Sequence, residues 1–283
     1  YRLSEREQQL VDQLVLSFLR SEKLQTHIRY LLEKGAMYRV CNGNLLYHGC
    51  IPMEPDGSFT RVTMVDKTYF GKSLMDACDR LCRTAMYDRR MENTDLLWYL
   101  WCGPYSPLNG KDKIATFERT FLDDPEARTE RKNPYYDLWN SGETARTILT
   151  EFGVDFERGH IINGHVPVRK TKGDTPIKAN GKFINIDGGL SKAYQPVTGI
   201  CGYTLVYSSH ELYLAEHQPF DPDTAARESA DVLSRTIMIE QYPDRLRVRD
   251  TDGGADVERR IADLKKLLAA YRSGLVRTPS RME

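Results

Sequence analysis

The 283-residue chain carries 40 Lys plus Arg against 40 Asp plus Glu, a formal net charge of zero. That balance argues against the basic footprint of a nucleic-acid-binding protein, and no apolar run approaches the roughly 18–20 residues that span a bilayer. With 40% hydrophobic residues the chain is long enough to bury a sizeable core, as one large domain or two smaller ones.

In chain order, residues 4–20 read as a helix opened by a Ser4/Glu7 capping box, with Leu10, Val11, Leu14, Val15, Phe18 and Leu19 at helical spacing. A second helix runs from Ser21 to Lys34 and stops at Gly35, with His27 on its packed face. Met37–Cys41 and Asn44–Tyr47 read as strands around Asn42-Gly43, a hairpin turn in which both residues tolerate positive φ. Arg61–Val65 is a short strand and Gly71 to Met86 a helix. The aromatic run Leu96–Trp101 reads as a core helix, followed by a loop whose Ser106, Gly110 and Lys111 are types that cradle phosphate. A charged stretch, 123–132, is an exposed loop or short helix, and 140–152 is helical. Arg158–Asn163, Lys182–Ile186, Gly202–Ser208 and Glu211–His217 are strands, the first two separated by the polar loop 169–176. The tail is helical twice. One helix starts at Asp221-Pro222, and the other carries Val257, Ile261, Leu264, Leu268 and Tyr271 as its stripe and ends at Gly274. The implied division is a helical entry segment (1–35), a central domain (36–220) and a helical C-terminal segment (221–283).

The six cysteines read as free thiols of a reducing cytoplasm, because a chain of this size needs no staples and Cys78 and Cys82 lack a second pair. Phe70-Gly71-Lys72-Ser73 is not a P-loop, since Asp66 stands where the first glycine belongs. No GxSxG elbow, HExxH pair or DxD-type calcium loop occurs.

Two histidines remain. His48 ends the apolar run Leu45-Leu46-Tyr47 before Gly49, and His165 lies in Gly164-His165-Val166-Pro167 after Ile161-Ile162. In both places a strand delivers an imidazole into a glycine-containing turn, a common way of presenting a ligand to a borderline divalent metal. A further strand ends in Asp187-Gly188-Gly189, where Asp187 either caps the strand or supports a ligand from behind. His160 is offset from His165 to the other face of an extended strand and reads as structural.

His-Gly after a strand, then Gly-His-x-Pro, then Asn185-Ile186-Asp187-Gly188-Gly189 resembles the order found in calcineurin-like metallophosphoesterases. Longer segments, among them Asn44–Pro52, Trp98–Pro104, Gly110–Lys113, Asn133–Tyr136, Gly159–Pro167 and Gly181–Tyr194, resemble the class 3 fructose-1,6-bisphosphatases of bacteria. The resemblance implies an α+β fold, the C-terminal part of a β-sandwich flanked by helices. It implies hydrolysis of the 1-phosphate of fructose 1,6-bisphosphate, a gluconeogenic reaction, at a dinuclear divalent site, with manganese as the expected metal. The family's Asp-x-His, Gly-Asp-x-x-Asp-Arg and Gly-Asn-His motifs do not occur here, and the chain begins with Tyr1 rather than Met. The expectation is therefore a C-terminal portion whose catalytic residues lie elsewhere and which is inactive by itself.

On the same resemblance His48 and His165 ligate the second metal, with Asp187 behind them. Both imidazoles must be neutral to bind, so acid weakens the site. Arg169, Lys170, Lys172 and Lys111 are the candidates to hold the phosphate that is not cleaved. The expected partners are the sugar bisphosphate and a second copy of the chain covering an open sheet edge, with no nucleic acid and no membrane. Two other readings use the same residues: a phosphoprotein or dinucleoside polyphosphate phosphatase, and a non-catalytic half-domain.

Overall fold

In the computed structural model the described residues are 2–64, 66–88, 90–219 and 234–276. The chain begins with α1 (Glu5–Arg20), α2 (Glu22–Lys34), β1 (Tyr38–Cys41), β2 (Asn44–Tyr47), β3 (Val62–Met64), β4 (Lys67–Tyr69), α3 (Gly71–Tyr87), α4 (Met91–Cys102), α5 (Thr116–Phe121) and α6 (Pro125–Arg128). It continues with α7 (Gly142–Glu151), β5 (Ile161–Asn163), β6 (Ile177–Lys178), β7 (Phe183–Asn185), α8 (Gln195–Thr198), β8 (Gly202–Tyr207), β9 (Glu211–His217), β10 (Ser234–Gln241) and α9 (Asp252–Arg272). The fold is α+β, as expected. It forms two compact units, Tyr1–Arg39 with Cys50–Tyr136 and Val40–Gly49 with Asp137–Glu283, so the chain is not cut at the expected boundaries after residues 35 and 220.

The first unit is mainly helical. The Ser4/Glu7 capping box opens α1: Glu7 N donates to Ser4 Oγ at 3.4 Å and Ser4 N to Glu7 Oε2 at 2.7 Å. The apolar residues of α1 keep their helical period, yet each of the six is at least 41% exposed. His27 is exposed as well, against expectation, because α2 buries none of its residues. A 3.6-residue period needs only the local sequence, whereas burial needs an opposing surface. Arg83 ties α3 to the end of α2, donating to Gly35 O at 2.8 Å and to Leu32 O while pairing with Asp79 at 2.8 Å. The core of this unit centres on Leu74, Met75 and Cys78 of α3, with Ile51, Met53, Leu100 and Tyr135. α4 is not the core helix its aromatics suggest: Trp98 is 63% and Trp101 57% exposed, and Leu100 is the one buried residue of α4. β3 and β4 form an antiparallel pair, of which only the first strand is evident in the sequence.

The second unit holds a five-stranded sheet in the order β1-β2-β5-β7-β6 and a three-stranded sheet in the order β10-β9-β8. Asn42 and Gly43 turn β1 into β2 at φ of 48° and 76°, left-handed values that asparagine and glycine tolerate. β2, β5 and β7 run parallel, and β6 returns antiparallel. Ile162 and Ile184 from this sheet share one buried cluster with Tyr203, Leu212 and Leu214 from the other, together with Val168 and Cys201. β10 lies inside the segment expected to be helical, where it pairs antiparallel with β9 from Ser234 opposite His217. The helix expected to start at Asp221-Pro222 lies outside the described residues. The last helix is present as α9, and Gly274 follows it at φ 77°. Among the described residues no helix is long and apolar enough to cross a membrane. Cys50, Cys78 and Cys201 are buried free thiols, while Cys41, Cys82 and Cys102 are half-buried and free.

Candidate metal centre

Three parallel strands carry the site. Leu46 of β2 lies opposite Ile162 of β5, and Ile162 lies opposite Ile184 of β7. Two residues on, the chain reaches His48, Gly164 and Ile186 at one level, so turns far apart in sequence meet at the C-terminal edge of the sheet. Ligand sites of parallel sheets form at this edge.

Backbone and amide groups join the turns. Gly164 N donates to His48 O at 2.9 Å, Ile186 N to Asn163 O at 2.9 Å and Val168 N to Asp187 O at 3.1 Å. Asn163 and Asn185 face each other across β5 and β7, each 2% exposed. Asn163 Nδ2 donates to Gly49 O at 3.2 Å. Asn185 Nδ2 donates to Val166 O at 2.7 Å, and its Oδ1 accepts from Asp187 N at 3.0 Å. Neither asparagine was anticipated as part of the site. The available signal was an amide closing each of two otherwise apolar strands, Ile161-Ile162-Asn163 and Phe183-Ile184-Asn185.

On this frame the imidazoles converge. His48 Nε2 lies 3.1 Å from His165 Nδ1, with ring centroids 4.9 Å apart and planes crossing at 67°. His48 is exposed and His165 half-buried, the latter at φ 68°. Two nitrogens each about 2.1 Å from one ion and roughly at right angles stand about 3.0 Å apart, so this spacing fits two adjacent positions in one coordination shell. Among the described residues no group of three or more His, Cys, Asp and Glu gathers around a common point. From those residue types, then, the described chain offers the imidazole pair and not a full ligand set.

The other expected residues are distributed unevenly. The Asp187 carboxylate comes to the Gly164 turn, its Oδ2 3.8 Å from where a Cβ on Gly164 would stand. A Cβ on Gly188 would overlap the carbonyl of Cys201, and one on Gly189 the side chain of Thr198, which explains the two glycines after Asp187. Lys170 pairs with the buried Glu216 at 2.7 Å, so its charge is already engaged. Arg169 and Lys172 flank it with no ion-pair partner for their side chains among the described residues.

Lys111 belongs to the first unit, where it pairs with Glu130 at 2.8 Å. In the same loop Ser106 is fully buried and used internally: its hydroxyl donates to Leu100 O and accepts from Leu108 N at 3.2 Å. This loop holds itself together rather than presenting free donors. Burial pushes the Cys50 thiol up to about 12, so the cysteine of the His-Gly-Cys sequence is a buried neutral thiol at pH 7. His160 is buried against Gly181 O (2.8 Å from Nδ1) and Glu240 Oε2 (3.2 Å from Nε2), a structural role as expected.

Residues 1–273 match the family described as Firmicute fructose-1,6-bisphosphatase. The chain is 50% identical over 283 residues to the class 3 fructose-1,6-bisphosphatase of Clostridium botulinum (strain Loch Maree / Type A3), covering 98% of this chain and 42% of that protein. To the class 3 enzyme of Clostridium tetani (strain Massachusetts / E88) it is 49% identical over 282 residues, covering 98% of this chain and 43% of that protein. The chain thus spans about two-fifths of the length of these relatives. The likeness runs along nearly the whole of this chain and is not confined to a C-terminal part of it. No solved structure matches.

Proposed function

Because the chain belongs to the Firmicute fructose-1,6-bisphosphatase family, we propose that it forms part of an enzyme that hydrolyses the 1-phosphate of fructose 1,6-bisphosphate, giving fructose 6-phosphate and phosphate. The observation that carries this reading is the 3.1 Å approach of His48 Nε2 to His165 Nδ1 at the C-terminal edge of β2, β5 and β7. The shared core of the two sheets in the second unit supports a metallophosphoesterase-type sandwich.

His48 and His165 hold one of two divalent cations, manganese in this reading, and Asp187 stands behind their turns. Bound there, the metal pair supplies positive charge against phosphoryl oxygens and activates water. This chain's residues do the positioning. The Asn163 and Asn185 amides fix the turns, and Arg169 and Lys172, which have no ion-pair partner among the described residues, receive the phosphate that stays. Lys170 serves by holding the 169–173 turn to Glu216. The acid group and the remaining ligands come from the additional length of the complete protein. The setting is cytoplasmic carbohydrate metabolism.

The test is phosphate release from fructose 1,6-bisphosphate by the complete protein with manganese. Activity there, with a loss of at least about 100-fold in His48→Ala and His165→Ala at unchanged far-ultraviolet circular dichroism, is the expected result. Near-normal turnover in either variant overturns the site assignment. Inactivity of the complete protein on this substrate, with turnover of a phosphoprotein or dinucleoside polyphosphate, overturns the substrate assignment.

A further inference from the structure

α9 is fastened at one end and open along the rest. Thr251 Oγ1 accepts from Gly254 N at 3.1 Å, and Gly254 is buried so close to Val248 and Arg249 that no side chain fits there. Asn42 N donates to Asp252 Oδ2 at 2.7 Å, and Asp252 N returns a bond to Asn42 Oδ1 at 3.1 Å. Beyond Gly254 no residue of α9 is buried. Along that length Val257, Ile261, Leu264, Leu268 and Tyr271 follow one another at intervals of 4, 3, 4 and 3 residues. They are 43–62% exposed. This is the d-a-d-a-d seam of a heptad repeat. The ion pairs within the helix, Asp256 with Arg259 and Asp263 with Lys266, join c and f positions on the side away from the seam.

We propose that this seam binds the same helix of a second copy of the chain, as a short antiparallel two-stranded coiled coil. Charge selects both the occupant and the direction. Glu258 and Lys265 flank the seam at e positions, and Arg260 and Leu267 flank it at g positions. With Ile261 set against Leu264 of the other copy, Val257 meets Leu268, and four apolar layers form. In that register Glu258 of each copy faces Lys265 of the other, an attractive contact made twice by the two-fold axis. A parallel pair would instead set Arg260 against Lys265 twice, like charge against like.

Sedimentation equilibrium of the complete protein tests this, with a reversible dimer of micromolar Kd expected. Lys265→Glu sets a second carboxylate against Glu258 across the antiparallel contact and raises the dimer Kd roughly tenfold. In a parallel pair the same substitution would place that carboxylate beside Arg260 and tighten the dimer. Glu258→Lys combined with Lys265→Glu restores the antiparallel contact and returns the Kd to that of the unsubstituted chain. Leu264→Lys gives a monomer with unchanged circular dichroism. A chain that stays monomeric at about 100 μM, or a dimer that Lys265→Glu leaves unchanged or tightens, overturns the proposal. The latter result would assign self-association to another apolar face, such as that of α1.

Discussion

The backbone N–H of Gly164 donates to the carbonyl of His48 at 2.9 Å, which fastens the two histidine turns to each other through the main chain. The imidazoles are therefore held side by side, and in the proposed reading both serve one coordination shell. In the complete protein His48→Ala and His165→Ala should each weaken manganese binding at that position by at least about tenfold. The double substitution should lose little more than the worse single one, because one ligand of a two-imidazole half-shell holds the ion poorly alone. Isothermal titration of the four proteins measures this. Additive losses would mean that the histidines serve separate ions.

His165 sits at φ 68°, in the left-handed region that costs a residue with a Cβ about 1 kcal/mol or more. The strain is a local cost of aiming Nδ1 at His48. His165→Gly should therefore be more stable than His165→Ala by about 1 kcal/mol in urea denaturation, although both remove the imidazole. Equal stabilities would show that the turn relaxes in the alanine protein. Gly164 has no such constraint: its added Cβ would meet Asp187 at an ordinary 3.6 Å, so Gly164→Ala should fold normally.

The parts of the fold legible in the sequence are those fixed by local chemistry. Ser4 and Glu7 mark the start of α1, Asn42-Gly43 marks the hairpin, and glycines at 35 and 274 mark helix ends, because each satisfies a backbone need on the spot. The histidine turns were legible for the same reason, as strands ending at glycine. What escaped depended on distant partners. β10 carries no strong alternation of its own and exists through its ladder with β9. β6 is two residues long and is held by β7. Trp98 and Trp101 looked like core because aromatic composition does not say whether an opposing surface is present. The ion pairs of Lys170 and Lys111 were not legible, because Glu216 and Glu130 lie far along the chain. Asn163 and Asn185 were overlooked because a lone amide at a strand end gains meaning only when register sets two of them side by side.

Asn185 gives the clearest test of that frame. Its amide bonds Val166 O at 2.7 Å and Asp187 N at 3.0 Å, one contact into each of two site turns. Asn185→Ala leaves both groups without their partner at a buried position, at a cost of about 1–3 kcal/mol. Manganese affinity of the complete protein should fall as well, although residue 185 touches no ion, because the His165 turn loses its tether. A variant that is destabilised yet binds manganese normally would restrict Asn185 to a role in stability.

The first unit should lose stability in acid through Glu130. Burial alone would raise this carboxyl, but the hydrogen bond from Lys111 at 2.8 Å, the Ala115 N–H at 3.0 Å and the charges of Lys111 and Arg119 outweigh it and hold the group below the usual carboxylate range. In the unfolded chain the same carboxyl titrates near about 4.3. A folded value below the unfolded one means that the unfolded state takes up protons first as pH falls. The stabilisation is therefore complete above the unfolded value and is lost as pH drops through the folded one. Glu130→Gln should cost about 1–2 kcal/mol at pH 7, and the gap to the unsubstituted chain should narrow steadily below about pH 4.3. Urea denaturation from about pH 7 down to about pH 3 reads both quantities. A gap of constant size over that range would mean that the ionised Glu130 carboxylate stabilises the fold no more than the protonated one.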